Sequence, residues 1–217
     1  MLIETRAVPP FSKNGYVLGC EETREGVVID PGDEVDELLD AVRRHQLQIK
    51  YILLTHAHLD HITGVRRATE VLQAPVGLHE ADNFLYERVV QQGIAFGFRV
   101  EAQPPVDFFY DTSQPLAFGR YTVQIRHTPG HSPGGVCLVV GRQAERERVL
   151  IVGDTLFEGG MGRTDLPGGD LATLLRSIRE VLLAFPDDTV VCSGHGRPTT
   201  IGHERRTNPY LASTTLS

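Results

Sequence analysis

Metal-competent side chains crowd one short stretch of the sequence. Residues 55–61 read Thr-His-Ala-His-Leu-Asp-His and contain four of them: His56, His58, Asp60 and His61. Neutral imidazole and carboxylate groups suit zinc, iron or manganese, and the stretch holds no cysteine that would favour a softer metal. Four such groups at this spacing favour a metal site over a loop of solvated histidines.

Three further candidate ligands follow apolar stretches later in the chain: His131, Asp154 and His195. Seven candidates exceed what one tetrahedral ion uses, because a catalytic zinc typically takes three protein ligands and keeps one position for water. The sequence therefore predicts two metal ions. Asp154 is the predicted bridge, because a carboxylate can give one oxygen to each ion and a histidine cannot.

The elements that must hold these ligands form two similar series. In the first half, a hairpin of Tyr16–Cys20 and Gly26–Asp30 precedes a helix from Asp33 and a strand that ends at Leu54, directly before the histidines. A second helix is predicted to start near His61, followed by a strand at 75–79 and a helix up to Gly93. The stretch 93–115 is aromatic and shows no sustained period, which suits either packing over a sheet edge or a wall of the substrate pocket.

In the second half, an alternating strand at 121–126 leads towards His131, and strands at 136–140 and 149–152 flank a charged turn at 141–147. Asp170 is predicted to cap a helix, and 189–192 is predicted to be the last strand. This order predicts an α/β protein with two facing mixed sheets, helices outside and the ligands along one edge. One domain over residues 1–217 is expected.

Composition narrows the partners and the compartment. The net charge of −7 gives no electrostatic footprint for nucleic acid, and the three cysteines are expected to be buried and reduced. The N-terminus has no leader pattern, and no stretch has the length of a membrane span. We therefore expect a cytoplasmic protein without nucleic-acid or membrane partners, either a monomer or a small homo-oligomer.

With these motifs, the chain resembles the metallo-β-lactamase superfamily, which implies the αβ/βα four-layer sandwich of that fold. Residues 56–61 match its His-x-His-x-Asp-His signature. The resemblance implies that His56, His58 and His131 hold one metal, that Asp60, His61 and His195 hold the other, and that Asp154 is shared. Four segments are similar to the short, single-domain glyoxalase II-like hydrolases: 127–134, 153–157, 159–169 and 199–211.

The resemblance implies a metal-dependent hydrolase that uses a metal-bridged hydroxide to cleave a thioester of the S-lactoylglutathione type. One zinc already lowers the pKa of bound water to about 7, so hydroxide is available near neutral pH. Asp60 is expected to orient it as a catalytic residue besides binding metal. Zinc is the expected metal, with iron and manganese as alternatives, and the partner is a small-molecule thioester that could derive from glutathione.

Arg163 stands where glyoxalase II proteins carry a basic residue that contacts glutathione, so it is the candidate anchor for a substrate carboxylate. The ordinary alternative is an ion pair with Asp165. Larger glyoxalase II enzymes add a C-terminal helical domain with further glutathione contacts, and because the sequence ends 22 residues after His195, we do not expect those contacts here.

Two other residues have open roles. Asp30, before Pro-Gly, either accepts a proton from a ligating imidazole or forms a turn. His127 is expected to be structural and is not counted among the ligands.

The main competing function is an oxidoreductase, a mononuclear-iron persulfide dioxygenase, which looks similar around residues 162–165. A β-lactamase is a weaker alternative, because such enzymes usually work outside the cytoplasm and no export signal is present. A non-catalytic metal-binding scaffold would be marked by lost ligands, and none is lost here.

Overall fold

Two mixed six-stranded sheets form the framework of the protein in a computed structural model that describes residues 1–142 and 148–211. The chain divides into two units. The first holds Met1–Asp111 and Ala117–Tyr121, and the second holds Thr112–Leu116 and the described part of Thr122–Ser217. The two sheets with their helices confirm the predicted α/β class, whereas one domain over 1–217 stays a prediction.

The first sheet begins with the predicted hairpin. Its strands follow chain order, antiparallel for the first three and parallel from the third onward. Tyr16 lies opposite Ile29 in the hairpin register. The strands are β1 (Leu2–Arg6), β2 (Gly15–Gly19), β3 (Glu25–Ile29), β4 (Gln48–Leu53), β5 (Val76–Leu78) and β6 (Phe108–Phe109).

Five helices belong to the first unit: α1 (Val35–Arg44), α2 (Leu59–Ile62), α3 (Val65–Leu72), α4 (Asn83–Glu87) and α5 (Val89–Phe96). A short 3-10 turn, Glu80–Asp82, precedes α4. Helix α1 buries Val35, Leu38, Leu39 and Val42, as the periodicity predicts, and it joins the parallel strands β3 and β4.

The helix predicted from His61 is wrong in its continuity, because the structure has α2 and α3 in its place. The break falls at Gly64, whose N–H donates to the carbonyl oxygen of Pro31 at 2.9 Å. A Cβ atom at Gly64 would stand 2.3 Å from the carbonyl oxygen of Gly32. Only glycine allows this approach of two backbone segments, so the turn after β3 interrupts the helical pattern.

The predicted irregular stretch 93–115 is wrong at two places. Helix α5 continues to Phe96 and ends at Gly97 with a φ of 79°, and β6 adds an edge strand beside β5. The buried hydroxyl of Tyr110 accepts from the N–H of Leu54 at 2.8 Å, and this burial raises the pKa of Tyr110. Packing over a sheet edge is therefore confirmed for this part, and the pocket wall stays a prediction.

The second sheet has the order β14-β13-β10-β9-β8-β7. Strands β9 and β10 are antiparallel, and β10 and β13 are parallel. A separate two-stranded ribbon pairs β11 with β12. The strands are β7 (Leu116–Phe118), β8 (Tyr121–His127), β9 (Val136–Arg142), β10 (Arg148–Gly153), β11 (Leu156–Phe157), β12 (Gly160–Met161), β13 (Val190–Ser193) and β14 (Thr199–Thr200).

Two boundary predictions in this half need correction. Residues 141 and 142 of the predicted turn belong to β9, and residues 143–147 lie outside the described part. The strand at 189–192 is not the last, because β14 follows and pairs antiparallel with β13. Strand β14 has only two residues, which is too short for an alternating pattern to be recognised in the sequence.

Helices α6 (Leu171–Ser177) and α7 (Ile201–Thr207) belong to the second unit, and a π-helical turn, Ile178–Leu182, extends α6. Asp170 caps α6 as predicted, because its Oδ1 atom accepts from the N–H of Thr173 at 2.7 Å. Helix α7 was not predicted. In the parts of the chain that the structure describes, every helix is too short or too polar to cross a bilayer.

The three cysteines confirm the prediction of buried thiols. Cys20, Cys137 and Cys192 are all buried and unoxidised. Burial raises the pKa of the Cys192 thiol to about 11 and raises that of Cys137 further.

A buried ion pair holds the turn that follows β3. The side chains of Lys13 and Glu34 are only 1% and 2% exposed, and Lys13 Nζ lies 2.5 Å from Glu34 Oε1. Lys13 also donates to the carbonyl oxygen of Asp30, and Glu34 accepts from the N–H of Gly32 at 3.0 Å. The pair therefore ties together both ends of the 30–34 turn.

Replacing Lys13 by Met should destabilise the protein by about 3–5 kcal/mol, because the Glu34 carboxylate would stay buried without its counter-ion. Urea unfolding followed by circular dichroism measures this loss. The matched control is Lys50→Met, since Lys50 is 40% exposed and lies 3.5 Å from Glu25. The control should cost less than about 1 kcal/mol. Equal losses in the two variants would contradict the role assigned to the buried pair.

Candidate metal centre

The predicted ligands fall into two groups, one in each unit. In the first unit, the loop after β4 brings three imidazoles together. The ring centroids of His56 and His61 lie 4.0 Å apart, and those of His56 and His58 lie 4.9 Å apart. All three rings are buried, and Asp60 lies beside them on α2 with a partly exposed side chain.

Asp30 anchors this first group from the end of β3. Its carboxylate accepts from the Thr55 N–H at 2.7 Å, from the Thr55 hydroxyl at 2.5 Å and from His61 Nδ1 at 2.9 Å. Its backbone also adopts a turn conformation with a φ of 49°. Both roles that the sequence left open for Asp30 are therefore present: it shapes the turn and it contacts a candidate ligand.

For neutral imidazoles, these hydrogen bonds decide which ring nitrogen of His56 and of His61 carries the proton. An ionised Asp30 can only accept, so Nδ1 of His61 must donate and its Nε2 atom keeps a lone pair. The Thr55 hydroxyl gives its proton to Asp30, so it accepts from His56 Nδ1 at 3.1 Å. His56 therefore also presents an Nε2 lone pair, which is the state that a metal requires.

The second group gathers around Asp154 in the second unit. Its Oδ2 atom lies 3.6 Å from His131 Nε2 and 3.5 Å from His195 Nε2. His131 Nδ1 donates to the carbonyl oxygen of Arg163 at 2.7 Å, so the Nε2 atom of His131 also keeps its lone pair. Asp154 thus faces two imidazoles with one oxygen.

The separations between carboxylates and imidazoles suit a shared ion better than direct hydrogen bonds. The Asp154 distances, and the 3.7 Å between Asp60 Oδ2 and His61 Nε2, exceed the 2.7–3.2 Å range of N–H···O bonds. Two ligands of a tetrahedral zinc stand about 3.3 Å apart when each bond is about 2.0–2.1 Å long. The donors are all imidazole nitrogens and carboxylate oxygens, which fit divalent zinc, iron or manganese.

Two adjacent parallel strands bring Asp154 and His195 of the second group together. Asp154 follows β10 and His195 follows β13, and because these strands are parallel, both residues leave the same edge of the sheet. The N–H of Gly194 donates to the carbonyl oxygen of Gly153 at 2.8 Å, which holds the ends of β13 and β10 together. A Cβ atom at Gly162 would lie 2.0 Å from the Asp154 carbonyl oxygen and 2.8 Å from His131 Nδ1, so only glycine fits there.

The structure gives Arg163 the ion pair that was the ordinary alternative to substrate binding. Its guanidinium donates two hydrogen bonds of 2.6 Å to the carboxylate of Asp165, and both side chains are more than half exposed. The hydrogen bonds from Arg163 hold the pKa of Asp165 at about 2. His127 has a structural contact, since its Nε2 atom lies 2.8 Å from the carbonyl oxygen of Pro133.

Two residues that contact the ligand loop were missed by the sequence reasoning. Asp82 Oδ2 accepts from the N–H of Ala57 at 3.0 Å, and Gln92 Oε1 accepts from the N–H of Leu59 at 3.0 Å. Neither residue stands near the ligands in the sequence or belongs to a motif with a mechanism. Their roles depend on tertiary contacts that a single sequence does not display.

Comparison with known proteins identifies the family. Residues 8–195 match the model of the metallo-β-lactamase superfamily. The chain is 37% identical to a Haemophilus influenzae protein named hydroxyacylglutathione hydrolase GloC, with 98% of this chain and 99% of that protein covered.

Two solved structures share the fold and much of the sequence. One, described as the B3 metallo-β-lactamase BLEG-1, is 38% identical with a TM-score of 0.88, covering 97% of this chain and all of that one. The other, TTHA1623 in a di-iron-bound form, is 38% identical with a TM-score of 0.84, covering 96% of this chain and all of that one. The chain therefore belongs to the metallo-β-lactamase superfamily, as a metal-dependent hydrolase.

Proposed function

We propose that this protein is a dinuclear metallohydrolase that cleaves small thioesters of the hydroxyacylglutathione type. The substrate class is carried by one observation, the 37% identity with hydroxyacylglutathione hydrolase GloC over nearly the whole of both chains. The two-metal part is supported by Asp154, whose single oxygen faces both His131 and His195. A carboxylate can serve two ions in that way.

The proposed ligand set follows the superfamily signature. His56, His58 and His131 would hold one ion, and Asp60, His61 and His195 would hold the other, with Asp154 shared between them. The hydrogen bonds of Asp30, Thr55 and the Arg163 carbonyl support this set, because they place the ring proton of His61, His56 and His131 on Nδ1, the tautomer that binds a metal through Nε2.

When bound, the ions would supply a water activated as nucleophile and would polarise the substrate carbonyl. Asp60 is proposed to orient that water, because its carboxylate stays partly exposed while the neighbouring His61 is fully buried. A thiolate is a good leaving group, so the residues need no dedicated general acid. Protein groups then act mainly by holding the reacting centres in place.

Replacing Asp154 by Ala should lower the metal content from two equivalents to one or fewer and reduce thioesterase activity by about a hundredfold or more, because both ions would lose a ligand. Elemental analysis of purified protein and S-lactoylglutathione hydrolysis measure the two effects. Asp188→Ala, which removes an exposed carboxylate in the same unit, is the matched control. An active, fully metallated Asp154→Ala protein would refute the bridging role.

A second candidate function, β-lactam hydrolysis, is favoured by the 38% identity with the protein described as BLEG-1 B3 metallo-β-lactamase. Parallel assays with S-lactoylglutathione and a chromogenic β-lactam decide between the two, and kcat/KM for the thioester should be the larger by at least about a hundredfold.

One iron per chain with oxygen uptake on glutathione persulfide would instead indicate the dioxygenase alternative.

Arg163→Met should raise KM for S-lactoylglutathione about fivefold to tenfold with little change in kcat, because a substrate carboxylate would lose its charged partner away from the reacting carbonyl. Steady-state kinetics measure the two constants. The control, Arg176→Met, alters an exposed arginine on α6 that contacts Thr173. An unchanged KM would restrict Arg163 to its ion pair with Asp165.

A further inference from the structure

We propose that Gln92, on α5, is a positioning residue of the metal centre that fixes the backbone on both sides of His58. This inference rests on the proposed function, in which His58 is a metal ligand. Gln92 lies in a helix that supplies no ligand, and it follows β4 by about forty residues, so nothing in the signature motif points to it.

The ligand loop has its backbone held at every second residue. The N–H groups of Thr55, Ala57 and Leu59 each donate to a side-chain oxygen from a different part of the chain, at 2.7, 3.0 and 3.0 Å. The three acceptors are Asp30, Asp82 and Gln92. Because His56 and His58 alternate with these anchored residues, the anchors set the path of the backbone from which both imidazoles project.

Gln92 accepts a hydrogen bond at the start of α2, directly after His58. His58 occupies the N-cap position, where a short polar side chain would usually accept from the first N–H groups of the helix. Its backbone is extended, with a ψ of 153°, but its side chain makes no capping hydrogen bond. Gln92 accepts from the N–H of Leu59, the first residue of α2, so a side chain from α5 satisfies one of the N–H groups that have no acceptor within the helix.

The amide of Gln92 is suited to this position because it both accepts and donates. Its Nε2 atom donates to the carbonyl oxygens of Ala57 and Leu85, each at 2.9 Å. The oxygen faces an N–H and the nitrogen faces two carbonyls, so only one orientation of the amide satisfies all three contacts. Gln92 therefore clamps the residues before and after His58 and ties them to α4.

The test is a Co²⁺ titration of the full-length metal-free protein, followed by the visible absorption of the bound ion. Gln92→Met, which keeps the side-chain length and removes the hydrogen bonds, should weaken Co²⁺ binding about tenfold and shift the absorption bands, since outer contacts of this kind affect metal affinity by 10–100-fold. Gln92→Glu keeps the acceptor for Leu59 but sets a carboxylate oxygen against the carbonyl oxygens of Ala57 and Leu85, so it should also weaken Co²⁺ binding and shift the bands. Gln91→Met, an exposed neighbour on the same helix, should match the wild type.

Thermal unfolding of each metal-free variant separates positioning from general stability. A lower melting temperature with wild-type Co²⁺ affinity and spectrum in Gln92→Met would overturn the positioning role. If Gln92→Met does not fold, the same comparison is made with Gln92→Glu, and an unchanged affinity and spectrum would again overturn it. A wild-type protein that binds no Co²⁺ would overturn both the metallohydrolase proposal and this inference.

Discussion

A histidine can bind a metal only through a nitrogen that carries no proton, and this constraint organises the surroundings of the candidate ligands. Asp30 settles the proton position of His61 directly and that of His56 through the Thr55 hydroxyl. A backbone carbonyl settles that of His131. In the neutral rings, the local hydrogen bonds thus place the proton on Nδ1 and leave the lone pair on Nε2, which is the form in which a histidine can bind a metal.

In each unit, adjacent parallel strands position two of these side chains. In the first, Asp30 and His56 follow the adjacent parallel strands β3 and β4. In the second, Asp154 and His195 follow the adjacent parallel strands β10 and β13. Parallel neighbours end at the same edge, so residues far apart in the sequence leave their sheet side by side. A rigid sheet then fixes the direction of a loop that could otherwise vary.

The sequence was most informative where a feature is encoded by residues close together in the chain. The signature at residues 56–61, the amphipathic pattern of α1 and the cap at Asp170 are local features, and the structure contains α1 and this cap as predicted. The break at Gly64 was missed because its cause is the approach of the turn after β3. Strand β14 is too short to show a period, and Gln92 acts through folding contacts with a loop distant in sequence. Such features depend on what the fold brings together.

The backbone and the side chain of Arg163 make different contacts. Its carbonyl oxygen orients the His131 ring, whereas its guanidinium is exposed and pairs with Asp165. Every amino acid carries the same carbonyl, so a change of side chain at 163 leaves the acceptor for His131 in place. A substitution at this position can therefore change the exposed side chain without removing the acceptor that orients the imidazole of His131.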